Sequence, residues 1–150
     1  MSSKQVRGMT NAEIDARLDM FIANMETEAR KAVKRGGNLL AGRLKANTPR
    51  YHLKTHKTHA AEEVAVTNIK MDGNIPTVQV GFKVKGDTGW YIHFPNEGTV
   101  VRGTVGQPPQ HFLEKSLLET KKPIQALYRY AVRKGAKIWN TSRSINILLA

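Results

Sequence analysis

His52, His56 and His59 stand at i, i+4 and i+7, a spacing that would align three imidazoles on one helix face. With Glu62 or Glu63 beside them, they are the residues of this chain best suited to hold Zn2+ or Ni2+. The segment that carries them, RYHLKTHKTH, follows Pro49 and has no settled hydrophobic period. A polar, basic loop is therefore the competing expectation. Metal binding through these histidines is the lesser reading, and no resident cofactor is expected.

Acid, nucleophile and phosphate chemistry find less to work with. Glu62 and Glu63 are adjacent, so on a strand they point to opposite faces and do not form the facing pair that glycoside hydrolysis uses. The chain has no cysteine, which excludes thiolate nucleophiles, thiolate metal sites and disulfides. It has no G-x-S-x-G elbow either. Glu97 is the acid of most interest, at the turn after an aromatic run. It is placed to act as a base, or to bond loop amides or a neighbouring subunit's Arg or Lys. Gly98, Gly103 and Gly106 fit neither a Walker loop nor a dinucleotide loop. His93 and His111 lie in the same stretch, each a candidate for acid–base work, with simple packing or a solvent-facing position as the commoner fate. Trp90, Tyr91 and Phe94 are candidates for base stacking, with packing between sheet and helix as the alternative. These exclusions predict a protein that is not an enzyme and has no small-molecule substrate.

Charge points to acidic partners. In 150 residues, 24 Lys and Arg face 12 Asp and Glu, for a net +12 spread along the whole chain. A nucleic acid, an acidic protein surface or a membrane answers that imbalance. No apolar run approaches the roughly 18 residues of a bilayer span, and MSSKQVRGMTNAE has no apolar signal core, so neither an anchor nor a signal peptide is expected.

The elements that must position these residues follow from periodicity. Residues 1–9 read as a flexible arm. Thr10-Asn11-Ala12-Glu13 is a capping box, and Ile14, Leu18, Ile22, Met25, Ala29 and Val33 recur at helical spacing, so a helix is expected over 10–47 with a core or packing seam along that stripe. Gly36-Gly37 costs that helix about 1 kcal/mol per glycine relative to alanine and marks a weak point. Residues 48–61 read as a mobile loop. From 62 to 96, alternation at Val64 and Val66 and at Val78, Val80, Phe82 and Val84, with Asp72-Gly73-Asn74 between them, predicts an antiparallel hairpin. Trp90 to Phe94 adds a third strand, and a fourth strand is allowed for. Residues 97–109 read as a loop. Residues 110–134 read as a helix kinked near Pro123. The apolar tail 135–150 is expected to add a strand or dock on a partner. The predicted fold is one α+β domain, an antiparallel sheet of three to four strands packed against two helices.

This order resembles the tail-component family of long-tailed bacteriophages, which includes head-to-tail joining and tail-completion proteins. Tyr91, His93, Phe94, Glu97, Gly98 and Thr99 match its aromatic Y-a-h-f-v-E-f-G-T strand and turn, and Pro109, Phe112 and Leu113 match its P-x-x-F-l motif. Pro95-Asn96 departs from the aliphatic residue usual before the glutamate. The resemblance implies a virion protein of the neck or tail, assembled in the bacterial cytoplasm. Its implied form is a homo-oligomeric ring, commonly a hexamer, that joins the tail tube to the head connector or stopper around the DNA channel. The expected contact residues are Arg50, His52, Lys54, His56 and Lys57 in the first loop, and Glu97, Thr99, Val100, Val101, Arg102 and Val105 in the second. Ile145, Ile147 and Leu148 join them from the tail. The alternative function is a basic nucleic-acid-binding domain.

Overall fold

A computed structural model describes the backbone of residues 8–50 and 56–149, with side chains to residue 136 except that of Val101. Two long helices dominate it. Helix α1 spans Asn11–Asn47 and opens on the predicted box: Thr10 Oγ1 accepts from the Glu13 amide at 3.3 Å, while Glu13 accepts from the Thr10 amide at 2.9 Å. It ends at Thr48, whose amide and hydroxyl both donate to the Leu44 carbonyl, and Pro49 follows.

Gly36-Gly37 does not break α1. A Cβ at Gly36 would meet Ile124 and Tyr128, and one at Gly37 would lie 2.8 Å from Val78 Cγ2. The pair is where the second long helix, Phe112–Leu149, and a hairpin both approach α1 closely, so missing side chains supply room that offsets their poor helix propensity.

The predicted hairpin forms, in two paired segments. Strand β1 (Val64–Val66) pairs antiparallel with β4 (Val80–Phe82), and β2 (Lys70–Asp72) pairs antiparallel with β3 (Ile75–Thr77). Thr67 and Gln79 bridge the segments, and Gly73 turns the tip at φ 60°. The predicted third strand is absent. Gly89–Tyr91 forms a 3-10 turn and His93–Glu97 a short helix, α2, so the sheet of three to four strands becomes separate two-stranded sheets. Pro95, which cannot donate to a strand ladder, sits inside α2.

The other corrections concern the loop 97–109, the tail and the α1 stripe. Thr99–Val101 (β5) and Thr104–Gln107 (β6) form a hairpin where a loop is predicted. Arg102 and Gly103 at its tip both have positive φ, the geometry of a two-residue primed turn. Helix α3 spans Phe112–Leu149, passes through Pro123 without interruption and takes in the tail as helix, so no terminal strand is added. Ile14, Leu18 and Ile22 are exposed, and the buried positions of α1 are Glu28, Ala32, Gly36, Gly37 and Leu44. Glu28, Ala32 and Gly36 face α3, which runs antiparallel along α1 from the Asn47–Ser116 hydrogen bond to the Glu28–Lys134 ion pair, while Gly37 faces the first hairpin and Leu44 the core.

The core lies where α1, the first hairpin and the start of α3 meet. Leu44, Ala60, Ile92 and Phe112 are buried together, with Val64, Val80, Phe82 and Leu113 against them. Phe82 and Phe112 meet edge to face at 6.4 Å.

Candidate interaction surface

Two constructions surround the residues singled out by sequence. The first is a polar clamp. Ala60–Glu63 forms a 3-10 turn that delivers the Glu63 side chain, almost fully buried, beneath the turn 85–89. Its carboxylate accepts from the backbone amides of Asp87, Thr88 (3.1 Å) and Gly89 (2.5 Å). Lys83 donates in turn to the Glu63 carbonyl at 3.0 Å.

Asp87 continues the clamp outward. It accepts from the amides of Lys57 (2.7 Å) and Thr58 (3.0 Å), and its Oδ1 lies 2.9 Å from His56 Nδ1. The His56 contact, then the Thr58 and Lys57 amides, hold the Asp87 carboxyl below its usual range. Thr88, buried, donates its hydroxyl to the Thr58 carbonyl at 2.8 Å. Two carboxylates thereby fix the segments on either side of the first hairpin.

The second construction sets the arm. In α2, Asn96 is buried; its Oδ1 accepts from the Leu113 amide at 3.0 Å and its carbonyl from the His111 amide at 3.1 Å. Asn96 thus caps α3 from a distance, satisfying amides that a helix start leaves open. Gly98 ends α2 at φ 82°, and a Cβ there would come within 3.0 Å of Gln107 O and of Pro109. Glycine is required on both counts. From this pivot the β5–β6 hairpin leaves the core. Thr99 Oγ1 accepts from the Gln107 amide at 3.1 Å, while Val100 and Val105 stand 72% and 68% exposed.

The sequence-predicted contact residues divide accordingly. Glu97, Thr99, Val100, Arg102 and Val105 share the pivot and arm, and the Val101 side chain lies outside the described residues. His56 and Lys57 belong to the clamp. Arg50 pairs with Glu62 at 3.5 Å, both side chains about half exposed. His52 and Lys54 lie outside the described residues, as do the side chains of Ile145, Ile147 and Leu148 on α3.

His56 turns to Asp87 and His59 precedes the 3-10 turn; among the described residues no three His, Asp or Glu side chains gather to hold a metal ion. Trp90 is 58% exposed and Phe94 is exposed as well, so neither packs into the core as an aromatic strand would. Trp90 meets only the edge of Tyr91, at 5.0 Å between ring centres, among the ring contacts described.

Sequence reasoning missed Glu63, Asp87, Thr88 and Asn96. Lys85-Gly86-Asp87-Thr88-Gly89 has the composition of a turn, but the carboxylate beneath it carries no local signature. No helix among the described residues is long and apolar enough to cross a membrane. Compared with protein-family models, curated proteins and solved structures, the chain matches none.

Proposed function

We propose that this chain is a structural protein of a tailed bacteriophage. On this reading it is a ring-forming neck or tail-completion component that joins the tail to the head connector around the DNA channel. The observation that carries the reading is the arm. The Glu97-Gly98-Thr99 turn, which matches the family motif, is closely packed at Gly98, and it launches a hairpin with two exposed valines. Apolar residues held out on a hairpin gain burial only from a neighbour. The anchoring of Phe112 in the core and the capping of α3 by Asn96 also suit the second motif, which fixes the far side of the arm.

The deciding experiment is electron microscopy of lysates from a phage deleted for this gene. Filled heads beside unattached tails are expected, and joined infectious particles would reject the role.

A second reading has its own support. Lys83, Lys85 and Trp90 are exposed around one turn of a chain of net +12, an aromatic and cationic surface suited to single-stranded nucleic acid. Retention on a single-stranded oligonucleotide that falls steeply with salt and is lost in Trp90→Ala would favour it over the ring.

A further inference from the structure

Among the described residues, the first half of α1 leaves an apolar stripe exposed. Ile14, Leu18 and Ile22, at four-residue spacing, are exposed, Ile22 to 60%. The same stripe continues through Met25, Ala29 and Val33 into a groove of about 220 Å3. Ile75 and Pro76 from the first hairpin and Tyr128 and Val132 from α3 form its walls. Single exposed apolar side chains need no explanation, but three in line, continued over about 28 Å by three half-buried ones that line a groove, do.

Charge changes sign along the stripe. Residues 11–28 carry five acids (Glu13, Asp15, Asp19, Glu26, Glu28) and one base (Arg17), a net of −4; residues 29–47 carry six bases and no acid, a net of +6. The helix dipole accounts for acids in the first turn only. Asp19 and Glu26 lie beyond it.

We infer that a second copy of this chain covers the stripe, with the two α1 helices antiparallel about a two-fold axis between Ile22 and Met25. In that arrangement Ile14 faces Val33 of the other copy, Leu18 faces Ala29 and Ile22 faces Met25, three pairs in a single register. Each copy lays its exposed Ile14, Leu18 and Ile22 into the other's groove, so the contact is self-complementary, as a two-fold interface must be. The acidic half of each helix then runs beside the basic half of its mate. Glu13 and Asp15, both exposed, approach Lys34 and Lys31 of the mate in this register, while Asp19 falls opposite Glu28 and Arg17 opposite Arg30. Arg30 already bonds Glu26 and Lys31 bonds Glu28 on their own helix, so the attraction between copies is that of the two charged halves rather than of new ion pairs.

This pairing stands apart from the ring reading. A two-fold contact is closed and does not by itself propagate round a ring.

The test uses the full chain in sedimentation at about 50 μM. Ile22→Glu, a change at an exposed position, is expected to halve the assembly mass, from twice 16.8 kDa to that value for a simple dimer, with helical circular dichroism unchanged. Because the chain has no cysteine, register is tested directly by the Leu18→Cys, Ala29→Cys double variant. Under mild oxidation it is expected to form a covalent dimer that neither single variant forms. Within one chain the two sites are about 16 Å apart along the helix, too far to bridge. A monomeric wild-type chain, an assembly whose mass survives Ile22→Glu, or a double variant that cross-links no better than the singles each overturns the pairing.

Discussion

The clamp around Glu63 and the arm that leaves Gly98 use the two kinds of side chain in opposite places. In the clamp, charged groups lie in or at the edge of the interior, and backbone amides surround them. In the arm, valines face water on a hairpin whose strands contact chiefly each other. A buried carboxylate persists only where its hydrogen bonds are complete, so the clamp serves the fold. An exposed apolar pair adds little to the fold, so the arm's composition is explained from outside the protomer. The contrast predicts that substitutions in the clamp act on stability, and that substitutions in the arm act on assembly with stability left almost unchanged.

Glu63→Ala is the most damaging change expected. It leaves the amides of Asp87, Thr88 and Gly89 without their acceptor in a space too confined for free solvation. A loss of about 3 kcal/mol follows, or roughly 10 °C in the thermal midpoint of a chain this size. Glu63→Gln should recover part of it, because its one oxygen can still accept from Thr88 and Gly89 while its amide nitrogen sets a donor against the Asp87 amide. A midpoint within about 2 °C of wild type would mean that the clamp does not hold the turn.

Gly98→Ala comes next, at about 2 kcal/mol, because the new Cβ meets Gln107 and Pro109 while the backbone is held at positive φ. This residue joins the arm to the core. The substitution is expected to lower the denaturation midpoint and also to displace the arm, visible as altered amide resonances from Thr99 to Gln107. Lowered stability with those resonances unmoved would show that Gly98 matters to the core alone.

Asp87→Asn should show itself through pH. The carboxyl of Asp87 is held below its ordinary value by the His56 contact and then by the Thr58 and Lys57 amides. Glu28 is lowered chiefly by its bond to Lys31, with Lys134 also contributing. A carboxyl lowered in the folded state binds fewer protons there than in the unfolded chain. Its stabilisation is therefore complete above the unfolded value and is lost as pH falls through the folded one. Wild-type stability is expected to decline below about pH 4.5, and Asp87→Asn to make the decline shallower from a lower starting point. Urea midpoints between pH 3 and pH 7 measure this, and parallel curves for the two proteins would remove Asp87 from the account.

What was legible in the sequence was local or periodic. The Thr10 box, the first hairpin with its Gly73 turn, and the starting region of α3 all rest on residues within a few positions of each other, and all are found. Trp90 to Phe94 read as a strand from its aromatic content, but Pro95 and the buried amide of Asn96 draw it into a helical turn that caps α3. That contact joins residues 17 apart, which no window of periodicity contains. The role of Glu63 as an acceptor for loop amides was hidden for the same reason, its partners lying 24 to 26 residues away. The stripe from Ile14 to Val33 was read correctly as a helix face, but not all of it is core, since amphipathicity records that a face seeks cover and not which molecule supplies it.

The smallest effect on the fold should come from the arm. Val100→Ser with Val105→Ser removes apolar surface that is already in water and leaves the strand pairing of Thr99–Val101 with Thr104–Gln107 in place. Exposed substitutions of this kind shift stability by no more than about 0.5 kcal/mol. If the valines are held out for a neighbouring subunit or connector, the double variant should fold normally yet fail to restore joined particles to a phage deleted for the gene. The measurement is a denaturation curve beside a plaque count. Full restoration by a folded double variant would detach the arm from assembly and leave its exposed valines without a role. Loss of both folding and function would instead place the arm with the clamp, as part of what holds the protomer together.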